Sequence, residues 1–223
     1  MITSQPTRYS ESRGVAMHKL MFMLVVMVVG MAASSRGQDR MPPIPADKLT
    51  AAQKNAIEEF KAARSADISG PFVPLLRSPE VMSRARAMGD YLRFKSALPP
   101  RLSEFVILLT ARRWTQQYEW HVHQAFAIKG GLRREIVDAV AAGRRPARMA
   151  KDEDAVYTLC DEVQGTHAAG DATYQRAVAE LGEPGVIDAL GITGYYTMLA
   201  MVMNTARTPL PDGVKPPLAP LTR

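Results

Sequence analysis

From Asp47 onward, apolar residues recur every three or four positions, the period that buries one face of a helix. Leu49, Ala52, Ala56, Ile57 and Phe60 mark a helix over Asp47–Arg64, which Gly70-Pro71-Phe72-Val73-Pro74 breaks. Ser78-Pro79-Glu80 starts another: serine can cap, proline suits the first helical position, and glutamate favours the positive end of the dipole. Its stripe is Val81, Ala85, Met88 and Leu92, and it stops before Pro99-Pro100. Pro100 opens a denser apolar helix carrying Leu102, Phe105, Val106, Leu108 and Leu109. Gln116–Lys129 runs to Gly130-Gly131, a C-terminal stop, and Arg133–Ala142 is a short helix closed by Gly143. Asp152–Thr166 begins with an acidic cluster and carries Ala155, Val156, Leu159 and Val163, and Asp171–Leu181 is closed by Gly182. Val186–Thr205 is long and mostly apolar, which predicts the central buried helix. No stretch alternates β-branched residues between Asn-Gly or Asp-Gly turns. The pattern predicts an all-α, single-domain bundle of about seven or eight helices.

Two segments stand apart from this pattern. Leu20–Ala33 is an unbroken apolar run, preceded by Arg13 and Lys19 and followed by the small residues Ser34, Ser35 and Gly37. A basic start, an apolar middle and a small-residue exit describe a secretory signal, and the run is shorter than the about 20 residues of a membrane span. The expectation is a periplasmic or secreted mature chain starting between Ala33 and Gln38, with no stable membrane span after signal removal. Met17 offers a more typical start than Met1. At the other end, Pro209, Pro211, Pro216, Pro217 and Pro220 predict an extended tail on the surface or on a partner subunit. The organisation read from the chain is therefore a signal over 1–37, an extension with one helix over 38–76, the helical domain over 77–207 and the tail over 208–223.

Charge and cysteine content narrow the functions. The chain of 223 residues carries a formal net charge of +6. Before Gln38, Arg8, Arg13, Lys19 and Arg36 stand against Glu11 alone, which leaves +3 for the remainder. Basic pairs such as Arg112-Arg113, Arg133-Arg134 and Arg144-Arg145 are scattered among acids, which excludes a nucleic-acid groove. Cys160 is the one cysteine, so neither an intrachain disulfide nor Cys-x-x-Cys chemistry is available. It lies on the apolar face Val156, Leu159, Cys160, Val163 and reads as a buried, inert thiol.

Pro99-Pro100-Arg101-Leu102-Ser103-Glu104-Phe105-Val106-Ile107-Leu108, followed by AFAIKGGL over Ala125–Leu132, resembles the carboxymuconolactone decarboxylase and alkyl hydroperoxidase D-like family. The resemblance spans roughly Arg77–Asp212 and includes the DATYQRA and GYYTMLAM stretches. It implies that family's helical fold and a homo-oligomer, trimeric or hexameric. It also implies that the family's glutamate falls on Glu104 and its histidine on His123, while its two cysteines fall on Gln116 and Glu119. Without a thiol pair, dithiol–disulfide peroxide chemistry has no nucleophile.

Gln116, Glu119 and His123 are spaced i, i+3, i+7 on one helix face, shared with Val122 and Phe126. By resemblance Glu104 points into the same pocket. Two carboxylates and an imidazole in an apolar cleft suit general acid–base work. Glu119 and His123 as a mere i, i+4 pair on a helix surface is the plainer alternative. The leading reading is cofactor-independent decarboxylation or proton transfer on a small lactone or carboxylate. His123, Glu104 and Glu119 are the catalytic candidates, and Gln116 and Tyr195 the substrate-binding ones. His121 lies on the far side of the helix from His123, which makes a poor chelate, so neither a metal nor a cofactor is expected. Trp114 and Trp120 read as core or subunit-interface residues, and Met198, Met201 and Met203 as packing. Two rival readings are a peroxiredoxin-like hydroperoxidase, which the missing cysteines disfavour, and a non-catalytic binding or scaffold protein.

Overall fold

The computed structural model describes Met1 and residues 38–221, so the expected signal segment and its cleavage points lie outside the described residues. Eight α-helices and no strand occur among the described residues. Thr50 opens α1 (Ala51–Arg64) with a reciprocal cap. Its hydroxyl accepts the Gln53 N–H at 3.2 Å, and Gln53 Oε1 accepts the Thr50 N–H at 3.0 Å. The Gly-Pro segment that was expected only to break the chain instead winds into a one-turn helix, α2 (Phe72–Leu75). Its prolines are tolerated because the first helical N–H groups have no partner within the helix. Pro79 opens α3 (Pro79–Phe94) and Pro100 opens α4 (Pro100–Arg113), as expected, although the Ser78 hydroxyl makes no capping bond. α5 (Gln117–Lys129), α6 (Arg134–Ala141) and α7 (Lys151–Thr166) follow. Asp152, Glu153 and Asp154 occupy the first turn of α7, where Arg101 bridges Asp152 and Glu153 at 2.6 Å each and ties the start of α4 to it.

The last helical run, α8 (Asp171–Ala206), is two helices end to end. Gly182 breaks it with φ 69° and ψ 163°, a conformation open essentially to glycine alone, and Pro184 follows. The stop predicted at Gly182 is thus in place. The prediction that Val186–Thr205 forms the centre needs correcting. α4 packs against α3, α5, α6, α7 and α8, and its Phe105, Val106, Leu108 and Ala111 are wholly buried. In α8, by contrast, Ile187 and Met201 face outward while Ile192, Leu199 and Met203 point inward. An apolar run spread evenly around α4 buries on every side, whereas the charge-poor α8 leaves one stripe out.

Residues outside the resemblance also join the core. Ala56 and Phe60 of α1 are buried, α1 packs on α3, and the Phe60 and Phe72 rings stand 4.8 Å apart. The proline-rich tail lies along its own chain. Leu218 is buried, exchanges hydrogen bonds of 2.9 Å with the Gln117 side chain, and is followed by Ala219, whose carbonyl accepts from Arg112 at 2.8 Å.

One close approach fixes a residue choice. A Cβ at Gly89 would stand 2.4 Å from the Tyr195 hydroxyl oxygen. Gly89→Ala should therefore displace that ring and destabilise by about 1–3 kcal/mol, the usual range for overpacking. Gly194→Ala, with nothing within 4 Å of its Cβ, should be neutral or stabilising. Denaturant unfolding of the two variants side by side checks the contrast.

Candidate active site

α4 and α5 pack together so that Glu104 of the first meets His123 of the second. Glu104 Oε2 lies 2.7 Å from His123 Nδ1, with both residues buried. A carboxylate at Nδ1 fixes the neutral imidazole with its proton there and its lone pair on Nε2. No described side chain hydrogen-bonds Nε2. Burial is the largest influence on His123 and lowers its pKa below the ordinary 6.5; Glu104 opposes this and the nearby Arg93 adds to it. Arg93 comes from α3, places Nη2 3.8 Å from Glu104 Oε1, and lies over the Phe126 ring at 5.4 Å. Tyr196 of α8 meets the imidazole edge-on at 5.1 Å, and Tyr195 stands edge-on to Tyr196 at 5.2 Å.

These groups border a cavity of about 200 Å³, walled by Phe60, Phe72, Tyr118 and Leu199 and lined by Glu119, His123, Tyr195, Tyr196, Arg64 and Arg93. Glu119 is 3% exposed, and neither carboxylate oxygen has a hydrogen-bond partner among the described residues. Burial raises its pKa well above the ordinary 4.5. Two effects compete at this position. The first turn of α5 favours a negative charge by about 0.3–1 kcal/mol. Taking an unpaired carboxylate out of water costs several kcal/mol, so burial outweighs the dipole and favours the neutral acid.

The cavity gathers Glu119, His123 and Tyr195 from the predicted set, with Glu104 behind the imidazole. Gln116 departs from expectation. It is the N-cap of α5, where its Oε1 accepts the N–H groups of Tyr118 at 2.6 Å and Glu119 at 3.3 Å, and its Nε2 donates to Asn204 at 2.9 Å. An amide committed at both ends to holding the helix start is not available to orient a substrate. Tyr196 lines the cavity beside Tyr195, and sequence reasoning missed Arg64 and Arg93. The available signal was spacing: Arg64 stands four residues after the buried Phe60, and Arg93 four after the buried Gly89.

Trp120 fills the core, while Trp114 is partly exposed and donates from Nε1 to Thr197 at 3.2 Å. Cys160 is wholly buried, 3.6 Å from the Thr193 hydroxyl and outside the cavity lining, and burial pushes its thiol up to about 12. Among the described residues, no group of three His, Cys, Asp or Glu side chains is arranged to hold a metal ion.

No protein-family model and no curated protein matches the chain. Among solved structures it is similar to a protein from Agrobacterium tumefaciens of unknown function, for which a role in antioxidant defence as an AhpD protein has been suggested. The TM-score is 0.51 and the identity 15%, over 61% of this chain and 94% of that one. That likeness defines the class: the fold is all-helical and AhpD-like.

Proposed function

We propose that this protein is a cofactor-independent acid–base enzyme acting on a small lactone or carboxylate. The observation that carries the reading is that one cavity brings together His123, its Nδ1 held by Glu104, and Glu119, whose buried oxygens have no partner among the described residues; burial lowers the pKa of the imidazole and raises that of the acid. Such a pair can remove a proton from carbon and hold the resulting oxyanion without moving net charge into or out of the site. In this scheme His123 Nε2 takes the proton α to the carbonyl. The electron pair passes to the carbonyl oxygen, which accepts a hydrogen bond from the Glu119 acid, and the imidazolium then returns its proton to carbon. Glu104 holds the imidazole orientation and stabilises its charged form. On a carboxylated substrate, loss of CO2 leaves its electron pair on carbon and the adjoining carbonyl, and the Glu119 acid gives that carbon its proton, which solvent then restores. A thiol peroxidase reading has no support here, because the one cysteine is buried and its thiol is a very weak acid. The Leu20–Ala33 run supports export, and the exposed Val81, Met88 and Met201 side chains support a homo-oligomer.

The test is proton transfer on a minimal substrate. Incubated in D2O with α-angelica lactone, the protein should speed both deuterium incorporation and migration of the double bond into conjugation, followed by NMR. Rates equal to those of buffer alone would remove the acid–base reading.

A further inference from the structure

The cavity is not built from the helical domain alone. Phe60, Arg64, Ser69, Pro71 and Phe72, from α1 through the start of α2, form one of its walls. Arg64 is the charged member of that wall. Its guanidinium carbon lies 4.8 Å from the centre of the Phe72 ring and 5.2 Å from that of Phe60, and its Nε donates to Asp90 Oδ1 at 2.9 Å. Aromatic faces on a planar cation and a fixed carboxylate at one edge hold the group in a single orientation.

Asp90 does not neutralise Arg64 by itself, because its other oxygen is taken by Arg86 at 2.8 Å. Arg93 faces Glu104 across 3.8 Å. Arg64 and Arg93 are the two guanidinium groups on the cavity lining; Asp90 is shared between Arg64 and Arg86, and Glu104 between Arg93 and His123, so neither lining cation has a carboxylate to itself. Glu119, the remaining acidic side chain on the wall, has both oxygens unpartnered inside the cavity. An unpartnered buried acid and a cation that shares its carboxylate, both lining one cavity, mark a space that a polar ligand completes.

We propose that Arg64 is the charge selector of the site, delivered by the N-terminal helix, and that the site takes a small carboxylate monoanion with a flat apolar body in preference to its neutral isostere. The carboxylate meets Arg64 on the wall, and the apolar body lies among Phe60, Phe72 and Tyr195 with its far end toward Glu119 and His123. This rests on the acid–base reading for what happens at His123, but recognition is measured separately from turnover.

The probes are 2-furoate and 2-furamide, which share shape and differ in charge, titrated into the full chain by NMR and calorimetry. A charge-assisted contact of about 1.5–3 kcal/mol predicts that furoate binds about 10–100-fold more tightly than furamide. Arg64→Gln should erase that preference, and Arg64→Lys should keep part of it, since lysine retains the charge without the planar fork. Added salt should weaken furoate binding to the parent and leave furamide unchanged, a result that does not depend on any variant folding. Equal affinities for the two probes in the parent, or binding of neither, would overturn the assignment. So would a preference that survives Arg64→Gln in a variant with the parent's melting curve. Isomerisation of the uncharged lactone by a parent that does not discriminate the probes would overturn this inference alone, whereas discrimination without isomerisation would leave it standing and remove the acid–base reading.

Discussion

His123→Ala should lower the proton-transfer rate by about 10²–10⁴-fold, the usual contribution of a positioned acid–base group, while His121→Ala on the same helix costs far less. The difference follows from placement. His123 is buried against Glu104 with Nε2 unused, whereas His121 is only half-buried and does not line the cavity. Removing His123 also strips Glu104 of its partner, so the variant should lose some stability, on the order of 1–3 kcal/mol for an orphaned buried polar group. Melting curves must therefore accompany the rates. Activity losses that track stability in both variants would mean that the imidazole serves only to pack.

Glu119→Gln should act on both rate and pH dependence. Glutamine can still donate a hydrogen bond to an oxyanion, but a weaker one than a carboxylic acid gives, so a loss of up to about 10²-fold is expected. The stability profile is the sharper readout. Because burial raises the Glu119 pKa in the folded state, the folded chain binds a proton there that the unfolded chain has already released above the ordinary 4.5. Stability must then fall as pH rises toward the folded value, by up to about 1.4 kcal/mol per pH unit. His123 acts in the opposite sense: its folded pKa is lowered, so stability is gained as pH rises toward 6.5 and is unaffected above it. The decline above the ordinary 4.5 that Glu119→Gln flattens belongs to Glu119. Urea unfolding of parent and variant from pH 4.5 upward decides the matter; matching slopes would mean that burial does not raise the Glu119 pKa.

The helical class and most helix ends were legible because they depend on local features. Proline at the starts of α3 and α4 and glycine at Gly143 and Gly182 each settle the chain within a turn. Glu104, Glu119 and His123 were found because motif and spacing put them on facing turns. Tertiary packing was less accessible. Nothing local shows that Gln116 spends its amide on the start of its own helix and on Asn204, a partner far along the chain. The same limit hid Arg64 and Arg93, since a charged residue at a helix end normally faces water. Their half-buried positions depend on α1 packing on α3 and α3 on α8 in three dimensions. The rank of the two apolar helices was also misjudged, because hydrophobicity measures how much surface seeks cover and not how many neighbours provide it.

The wall formed by Phe60 through Phe72 has a consequence for the chemistry that its shape alone does not express. Burial is what raises the Glu119 pKa, and part of the cavity wall is supplied by a helix on the far side of the sequence. Were α1 to lift away, the cavity would open and the Glu119 pKa would fall toward the ordinary 4.5. Proton affinity at this site is thus a cooperative property of the packed chain, present only while the local unfolding equilibrium of its first helix lies toward closure.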